Sequence, residues 1–213
     1  MRIDRSLYSQ SRPSGPDLAP PRRSAERGVT LMEVMIVLAI VAIVLAVGVP
    51  GFREFVARNR LDGTAQDLLA SLQYARSEAM RRGAQVTVRL AGAAGSRNWG
   101  GGWTMFADAD RDGVLDESEK PPIREGAALA APLTLFGSES FETFVAFDRE
   151  GRLSGAGGGY LVLCEGGTLR EGDHWRARAV LVNGAGRVRM AARDDSRGVL
   201  LTDSGEIGDC GRP

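Results

Sequence analysis

The stretch 108–119 has the residue types and the spacing of a calcium-binding loop. It reads DADRDGVLDESE and follows the pattern D-x-D-x-D-G-x5-E. The side-chain oxygens that could surround one cation belong to Asp108, Asp110, Asp112, Asp116 and Glu119. Gly113 allows the sharp turn that such a loop needs, so calcium is a candidate ligand. Pro121-Pro122 after the loop and a strand before it are not the helices of a typical calcium loop, which leaves a solvated acidic hairpin tip as the alternative.

Two arginines near the C-terminus have the spacing of a phosphate-binding pair. Arg187 and Arg189 are two residues apart in a segment whose alternation predicts a strand, so both would point to the same face. Guanidinium groups on one face can contact nucleic-acid phosphates without reading sequence. The chain has 27 basic and 27 acidic residues, so any such binding has to be local. Asp194 and Asp195 lie close by and weigh against it.

The two cysteines, Cys164 and Cys210, are too far apart in sequence for a CxxC redox or zinc pair. We predict a structural disulfide on the condition that this part of the chain is exported, with two unpaired thiols as the alternative. The bridge would close a loop of about 47 residues and stabilise the fold by up to about 4 kcal/mol in the chain-entropy model.

No group of residues predicts catalysis. His174, the only histidine, lies in a polar stretch between Asp173 and Trp175, without a GxSxG motif or a histidine cluster for a metal. A single histidine in a loop is most often solvated. We therefore predict that the protein is not an enzyme and that calcium is its one candidate cofactor.

An uninterrupted apolar segment near the N-terminus predicts a membrane helix. Residues 34–49 read VMIVLAIVAIVLAVGV, and Glu33 is the only charged residue between Val29 and Val49. As a helix, these 21 residues would span about 30 Å, which is enough for the hydrocarbon core of a bilayer. A buried core helix and a cleaved secretory signal sequence are the alternatives.

The residues before this segment indicate its orientation. Residues 1–27 contain four prolines among serines and arginines and predict a disordered leader. Because Arg22, Arg23 and Arg27 precede the apolar segment, a cytoplasmic leader and an exported C-terminal part are favoured.

Periodicity beyond the apolar segment predicts that the same helix continues and is followed by a sheet. From Phe52 to Arg82 apolar residues recur every three or four positions, and Gly83 predicts the end of the helix. Strands are predicted at 86–90, 102–107, 132–136, 143–148, 159–164, 177–182 and 187–192, with Asn183-Gly184 as a hairpin turn. The predicted fold class is α+β. One helix of about 50 residues, half membrane and half amphipathic, packs on a mostly antiparallel β-sheet.

The junction between the leader and the apolar segment resembles the prepilin signature of type IV pilins and of the pseudopilins of type II secretion. Gly28 precedes Val29, and counting from Val29 places Glu33 fifth and Pro50 twenty-second. The resemblance implies that prepilin peptidase removes residues 1–28 and that the new N-terminus is methylated. Val29 stands where the family usually has phenylalanine or methionine.

The same resemblance implies a role for Glu33 in assembly. In this family the acid pairs with the free N-terminal amine of a neighbouring subunit. A carboxylate in an apolar membrane segment costs about 2.5–3.5 kcal/mol at the helix centre and less near its end, so it usually has a partner. The alternative is that Glu33 lies at the membrane interface in the first helical turn, where the helix dipole tolerates it.

Later segments narrow the resemblance to the H-type pseudopilins and the FimT-like minor pilins. Residues 58–88 and 101–119 carry it, and Gly186-Arg187-Val188-Arg189 matches the GRxR element with which FimT-like minor pilins bind DNA in natural transformation. The implied protein is a low-copy subunit of a type II secretion pseudopilus or a type IV pilus. Its implied partners are prepilin peptidase and other pilins or pseudopilins, with DNA added in the FimT-like alternative.

The resulting organisation has four parts. A cleaved leader occupies 1–28, the membrane or filament-core half of the helix 29–50, its amphipathic half 51–83, and a β-rich domain 84–213. The resemblance places the helix in the inner membrane and the last part in the periplasm.

Overall fold

The computed structural model of the protein describes residues 28–92, 95–155, 157–203 and 205–211. The chain divides into two units, residues 1–47 and 48–213. Helix α1, Leu31–Arg82, begins in the first unit and ends in the second. The predicted leader lies outside the described residues except for Gly28, which is exposed and precedes the helix together with Val29.

Both ends of α1 are capped in ways that are common for helices. The Thr30 side-chain oxygen accepts a hydrogen bond of 3.2 Å from the backbone N–H of Glu33, which is an N-terminal cap. At the other end Gly83 has φ of 63°, a left-handed conformation that glycine adopts without strain. Arg81 and Arg82 lie in the last turn, where the helix dipole favours positive charge. The prediction of one helix of about 50 residues is confirmed, since α1 has 52.

The part of α1 in the first unit is apolar and exposed along its whole length. Every residue from Gly28 to Val47 is exposed. The most apolar window of α1 has a mean hydropathy of 2.9 and is 0% buried. By length and composition α1 is able to cross a membrane.

In the second unit one face of α1 is buried, and that face begins at Leu61. Its buried apolar residues are Leu61, Ala65, Leu68, Leu72, Ala75 and Ala79. The sequence pattern placed Phe52, Phe55 and Val56 on the same face, but these side chains are 67%, 60% and 48% exposed. The apolar period runs without a break from the membrane segment into the packed segment, so it does not mark where packing starts.

Short strands and two 3-10 turns follow the helix. In chain order the strands are β1 Val86–Leu90, β2 Trp103–Ala107, β3 Arg124–Gly126, β4 Leu133–Gly137, β5 Phe144–Phe147, β6 Gly158–Glu165, β7 Arg170–Glu171, β8 His174–Trp175, β9 Ala177–Asn183, β10 Val188–Met190, β11 Ala192–Asp194, β12 Val199–Leu201 and β13 Glu206–Ile207. The 3-10 turns are Glu117–Glu119 and Glu139–Phe141.

These strands form two four-stranded sheets rather than the single sheet that we predicted. The first has the order β3-β2-β1-β5 and the second β10-β9-β6-β4. A three-stranded sheet, β11-β12-β13, and the hairpin β7-β8 complete the described part. All pairings among the described strands are antiparallel, as predicted.

Two apolar cores hold the sheets together. The larger core joins the buried face of α1 to both four-stranded sheets, with Val88, Phe147 and Leu163 among its members. The opposite face of β6 and β9 forms a second core with Trp175 and Leu200. Both faces of these two strands are therefore buried, which accounts for the unbroken burial from Ala177 to Val182.

Candidate functional site

The acidic loop after β2 is built around Asp108, which is only 1% exposed. Its Oδ2 atom accepts hydrogen bonds from Gln85 Nε2 at 2.9 Å, from Thr87 Oγ1 at 2.5 Å and from the backbone N–H of Gly113 at 3.1 Å. Its Oδ1 atom is buried and has no hydrogen-bond partner among the described residues. One oxygen of this carboxylate is thus saturated and the other is unpaired.

Two further carboxylates of the predicted calcium loop lie beside Asp108. One oxygen each of Asp108, Asp110 and Asp112 lie within 4.8 Å of one another. Asp110 Oδ1 accepts a hydrogen bond of 3.3 Å from the N–H of Asp112, and Asp112 Oδ1 accepts one of 2.7 Å from the N–H of Val114. These local bonds fold the loop so that side chains at alternate positions converge.

The structure does not bring Asp116 and Glu119 into this group. Asp116 Oδ1 accepts hydrogen bonds of 2.7 Å from the N–H and the hydroxyl of Ser118, and these bonds lower the pKa of Asp116. Glu119 Oε1 accepts a bond of 2.7 Å from the N–H of Ala109. Both carboxylates form the capping box of the 3-10 turn Glu117–Glu119, and neither belongs to the group of oxygens within 4.8 Å of one another.

Gly113 is required by the shape of the loop. Its φ is 72°, and a β-carbon there would lie 2.7 Å from the ring of Phe144. Its carbonyl oxygen accepts a hydrogen bond of 2.5 Å from Arg89 Nη1 on β1. The turn that gathers the aspartates is therefore fixed from the sheet side by an aromatic ring and a guanidinium group.

The two arginines predicted to contact nucleic acid follow the hairpin between β9 and β10. Gly186, φ 74°, closes the turn that begins at Asn183, so the turn is longer than the Asn183-Gly184 pair. Arg187 is exposed and forms no ion pair with any described residue. Arg189 is half-buried and is ion-paired with Asp203. Only one of the two guanidinium groups therefore lacks a carboxylate partner in the described part of the chain.

Cys164 on β6 and Cys210 near the C-terminus are joined in a disulfide. The side chains are 0% and 3% exposed and belong to the second apolar core. The bridge attaches the last described residues to β6, an inner strand of the second sheet.

His174 has contacts that the sequence did not reveal. Its Nδ1 atom lies 2.5 Å from Arg58 Nη2, and its Nε2 atom lies 3.2 Å from Glu54 Oε1. Arg58 also donates to Glu54 at 2.6 Å. His174 is exposed, as expected of a solvated histidine, and its ring also contacts the helix. No pattern within a single segment signals a contact between residues 116 positions apart.

Two protein-family models match segments of this sequence. The model described as type II transport protein GspH matches residues 64–186, from the packed part of α1 to the β9–β10 hairpin. The chain belongs to the GspH family. A second model, the prokaryotic N-terminal methylation motif, matches residues 23–49 and covers the Gly28-Val29 junction and the apolar helix.

Two crystal structures of the type IV minor pilin FimU from Pseudomonas aeruginosa share the fold of this GspH-family chain. The first, in space group P21, is 26% identical, covers 73% of this chain and 98% of FimU, and gives a TM-score of 0.52. The second, in space group P65, is 24% identical, covers 70% of this chain and 99% of FimU, and gives 0.50. A comparison with curated proteins gives no match.

These matches confirm the predicted pilin-like fold and the H-type or FimT-type family. The protein is a minor pilin or pseudopilin of a type II secretion system or a type IV pilus, in a family of structural subunits. The apolar helix and the family together indicate an inner-membrane anchor and incorporation into a filament.

Proposed function

We propose that the protein is made as a precursor, cut by prepilin peptidase between Gly28 and Val29, and assembled through the N-terminal part of α1 into the filament. The observation that carries this proposal is the exposure of the whole stretch from Gly28 to Arg53. Its large apolar side chains, such as Leu31 at 80% and Val47 at 74%, are accessible. Apolar surface of this extent needs either lipid or other subunits to cover it.

The start of the helix supports a role for Glu33 once the leader is removed. The new N-terminal ammonium group would be on Val29, next to the Thr30 cap, at the positive end of the helix dipole. Positive charge is unfavourable there, and a carboxylate from a neighbouring subunit would offset it. Glu33 is exposed in the first helical turn, where a neighbour's amine can reach it.

The disulfide supports export of the β-rich domain. Cys164 and Cys210 are paired, and disulfides persist in the periplasm but are rare in the cytosol. We therefore place residues 84–213 in the periplasm, with prepilin peptidase and other pilins or pseudopilins as partners.

Intact-mass analysis of the full chain, extracted from membranes of cells with and without prepilin peptidase, tests the proposal. Cells with the enzyme should yield a protein that starts at Val29, and cells without it should yield the precursor. Gly28→Val should keep the precursor mass in both, whereas Gly51→Val, a control at an exposed glycine within α1, should be processed normally. A mature N-terminus at any other residue contradicts the proposal.

DNA binding is a second candidate function, and the exposure of Arg187 at a hairpin favours it. A single unpaired guanidinium group supports weak, sequence-independent and salt-sensitive binding. The full chain in detergent should retard duplex DNA at low salt, and Arg187→Glu should remove the shift, whereas Arg149→Glu, another exposed arginine, should not. If the unaltered protein gives no shift at low salt, this second function fails.

A further inference from the structure

The acidic loop has a geometry that filament assembly does not explain. Asp108, Asp110 and Asp112 bring three carboxylate oxygens within 4.8 Å of one another. No ion pair joins any of the three to an arginine or lysine in the described part of the chain. Three negative charges so close together repel one another, and a cation between them would offset this repulsion.

The buried oxygen of Asp108 that has no hydrogen-bond partner is the atom that a bound cation would satisfy. Oδ2 already accepts three hydrogen bonds, so it fixes the carboxylate in place. Oδ1 is buried without a partner among the described residues, and an unpaired charged oxygen in the interior is destabilising. A metal ion contacting Oδ1 removes that cost.

We propose that Asp108, Asp110 and Asp112 bind one divalent cation, and that calcium is the cation that this ligand set suits. The ligands are all oxygens, which favours hard cations over zinc or copper. Asp110 and Asp112 are exposed, so water can complete a shell of six to eight oxygens, as calcium takes. Magnesium demands a more regular octahedral geometry and gives up its waters reluctantly.

This site differs from the twelve-residue loop that the sequence pattern describes. Glu119, the last position of that pattern, is hydrogen-bonded to the N–H of Ala109 and is not among the three residues whose oxygens lie within 4.8 Å of one another. A shell of three carboxylates and water binds weakly, in the range of about 10⁻⁴–10⁻³ M that extracellular modules show. Such a site fills in an exported domain and stays empty at cytosolic calcium levels.

Cation binding stabilises more than the loop. Asp108 Oδ2 accepts a hydrogen bond from Gln85, and Gln85 Oε1 accepts one of 2.9 Å from Ser154 Oγ. The chain of contacts thus joins the start of β1, the end of β2 and the turn after β5. Calcium held at Oδ1 therefore anchors three segments of the first sheet.

Titration calorimetry and thermal unfolding of the full chain in detergent test the proposal with calcium chloride as the probe. We expect heat of binding, and at a concentration of about ten times Kd a melting temperature higher by roughly 3–6 °C than in chelator. Magnesium chloride at the same concentration should give a clearly smaller shift.

The variant D110N/D112N removes two charges and keeps the oxygens that fold the turn, so it should fold but bind calcium more weakly and give a clearly smaller calcium-dependent shift. D116N is the matched control in the same loop and should keep the shift, because Asp116 is outside the group. No heat and no shift for the unaltered protein overturn the proposal. An undiminished shift in D110N/D112N overturns it as well, since the cation then binds elsewhere, and loss of the shift in D116N overturns the three-aspartate site.

Discussion

A β-carbon on Gly186 would lie 1.9 Å from the carbonyl oxygen of Gly151. The β9–β10 hairpin and the turn that follows β5 therefore touch through their backbones at this point. Arg76 on α1 stabilises the same contact through two hydrogen bonds. Its Nε donates to Gly151 O at 2.8 Å and its Nη2 donates to Ala185 O at 3.4 Å. The glycine of the GRxR element is thus required by the fold, whatever the arginines beside it do.

Replacing Gly186 should destabilise the protein more than replacing a glycine that has a similar backbone angle and open space. Gly198 has φ of 70° and nothing within 4 Å of the place where a β-carbon would be, whereas Gly186 has φ of 74° and the Gly151 contact. Gly198→Ala should cost about 1–2 kcal/mol for the left-handed backbone. Gly186→Ala should cost about 1–3 kcal/mol more from the steric overlap. Thermal unfolding of both variants measures the difference, and equal losses would show that the hairpin shifts freely.

The ion pairs of Glu78 should make stability depend on pH. Its carboxylate, 5% exposed, accepts from Arg81 Nη2 at 2.6 Å and from Arg82 Nε at 2.7 Å. Glu78 lies well outside the apolar segment 34–49. The hydrogen bond from Arg81, followed in size by the one from Arg82, lowers the pKa of Glu78 from 4.5 to about 2. A depressed carboxyl pKa contributes stability that is present above pH 4.5 and is lost as the pH falls towards 2.

Glu78→Gln should therefore lower the free energy of unfolding by about 1–3 kcal/mol at pH 7, a range reduced for the exposure of both arginines. The difference from the unaltered protein should narrow as the pH falls from about 4.5 towards 2, because the stability that the charged carboxylate contributes is lost there. Melting temperatures across this range measure it. Glu150→Gln, in an exposed pair with Arg149, should change little at any pH. A difference that stays constant with pH would assign the loss to packing.

Most of the fold was predictable because it depends on local periodicity. The helix from Leu31 to Arg82 follows from an apolar run, a three-to-four residue period and Gly83. The seven strand segments follow from alternation and glycine breaks. The division into two sheets was not predictable, because strand order depends on contacts between distant segments. The start of the buried face at Leu61 was missed for a related reason, since lipid-facing and core-facing residues have the same apolar character.

The candidate sites show the same limit. The sequence placed Asp108, Asp110 and Asp112 at alternate positions of a turn, and the turn brings their oxygens together. It assigned Glu119 to the same group because the pattern comes from loops between helices, whereas here a strand and a 3-10 turn flank the loop. The sequence did not reveal Asp203 as the partner of Arg189, because the two residues are 14 positions apart. Asp203 lies in the turn between β12 and β13.

Removal of the disulfide should lower stability without changing the fold. The Cys164–Cys210 bridge spans 46 positions, and closing a loop of this length contributes up to about 4 kcal/mol in the chain-entropy model. The double variant Cys164→Ala/Cys210→Ala should unfold at a lower temperature, with added loss from the apolar core that both sulfurs fill. The unaltered protein measured with a reductant is the control. A variant that melts at the same temperature as the oxidised protein would count against the predicted stabilisation.

Neutralising Glu33 should block assembly while leaving processing and membrane insertion intact. Glu33→Gln keeps the backbone N–H that bonds the Thr30 cap, so the start of α1 is preserved. It removes the charge that would offset a neighbour's terminal amine, and a buried charge left without its partner is costly. We expect the fraction of protein recovered in sheared filaments to fall at least about tenfold, equivalent to about 1.4 kcal/mol. Quantitative mass spectrometry of filament and membrane fractions measures this fraction.

Glu54→Gln changes an acid on the same helix beyond the apolar segment and should assemble normally. If Glu33→Gln enters filaments as well as the unaltered protein does, the charge pairing is not what guides assembly.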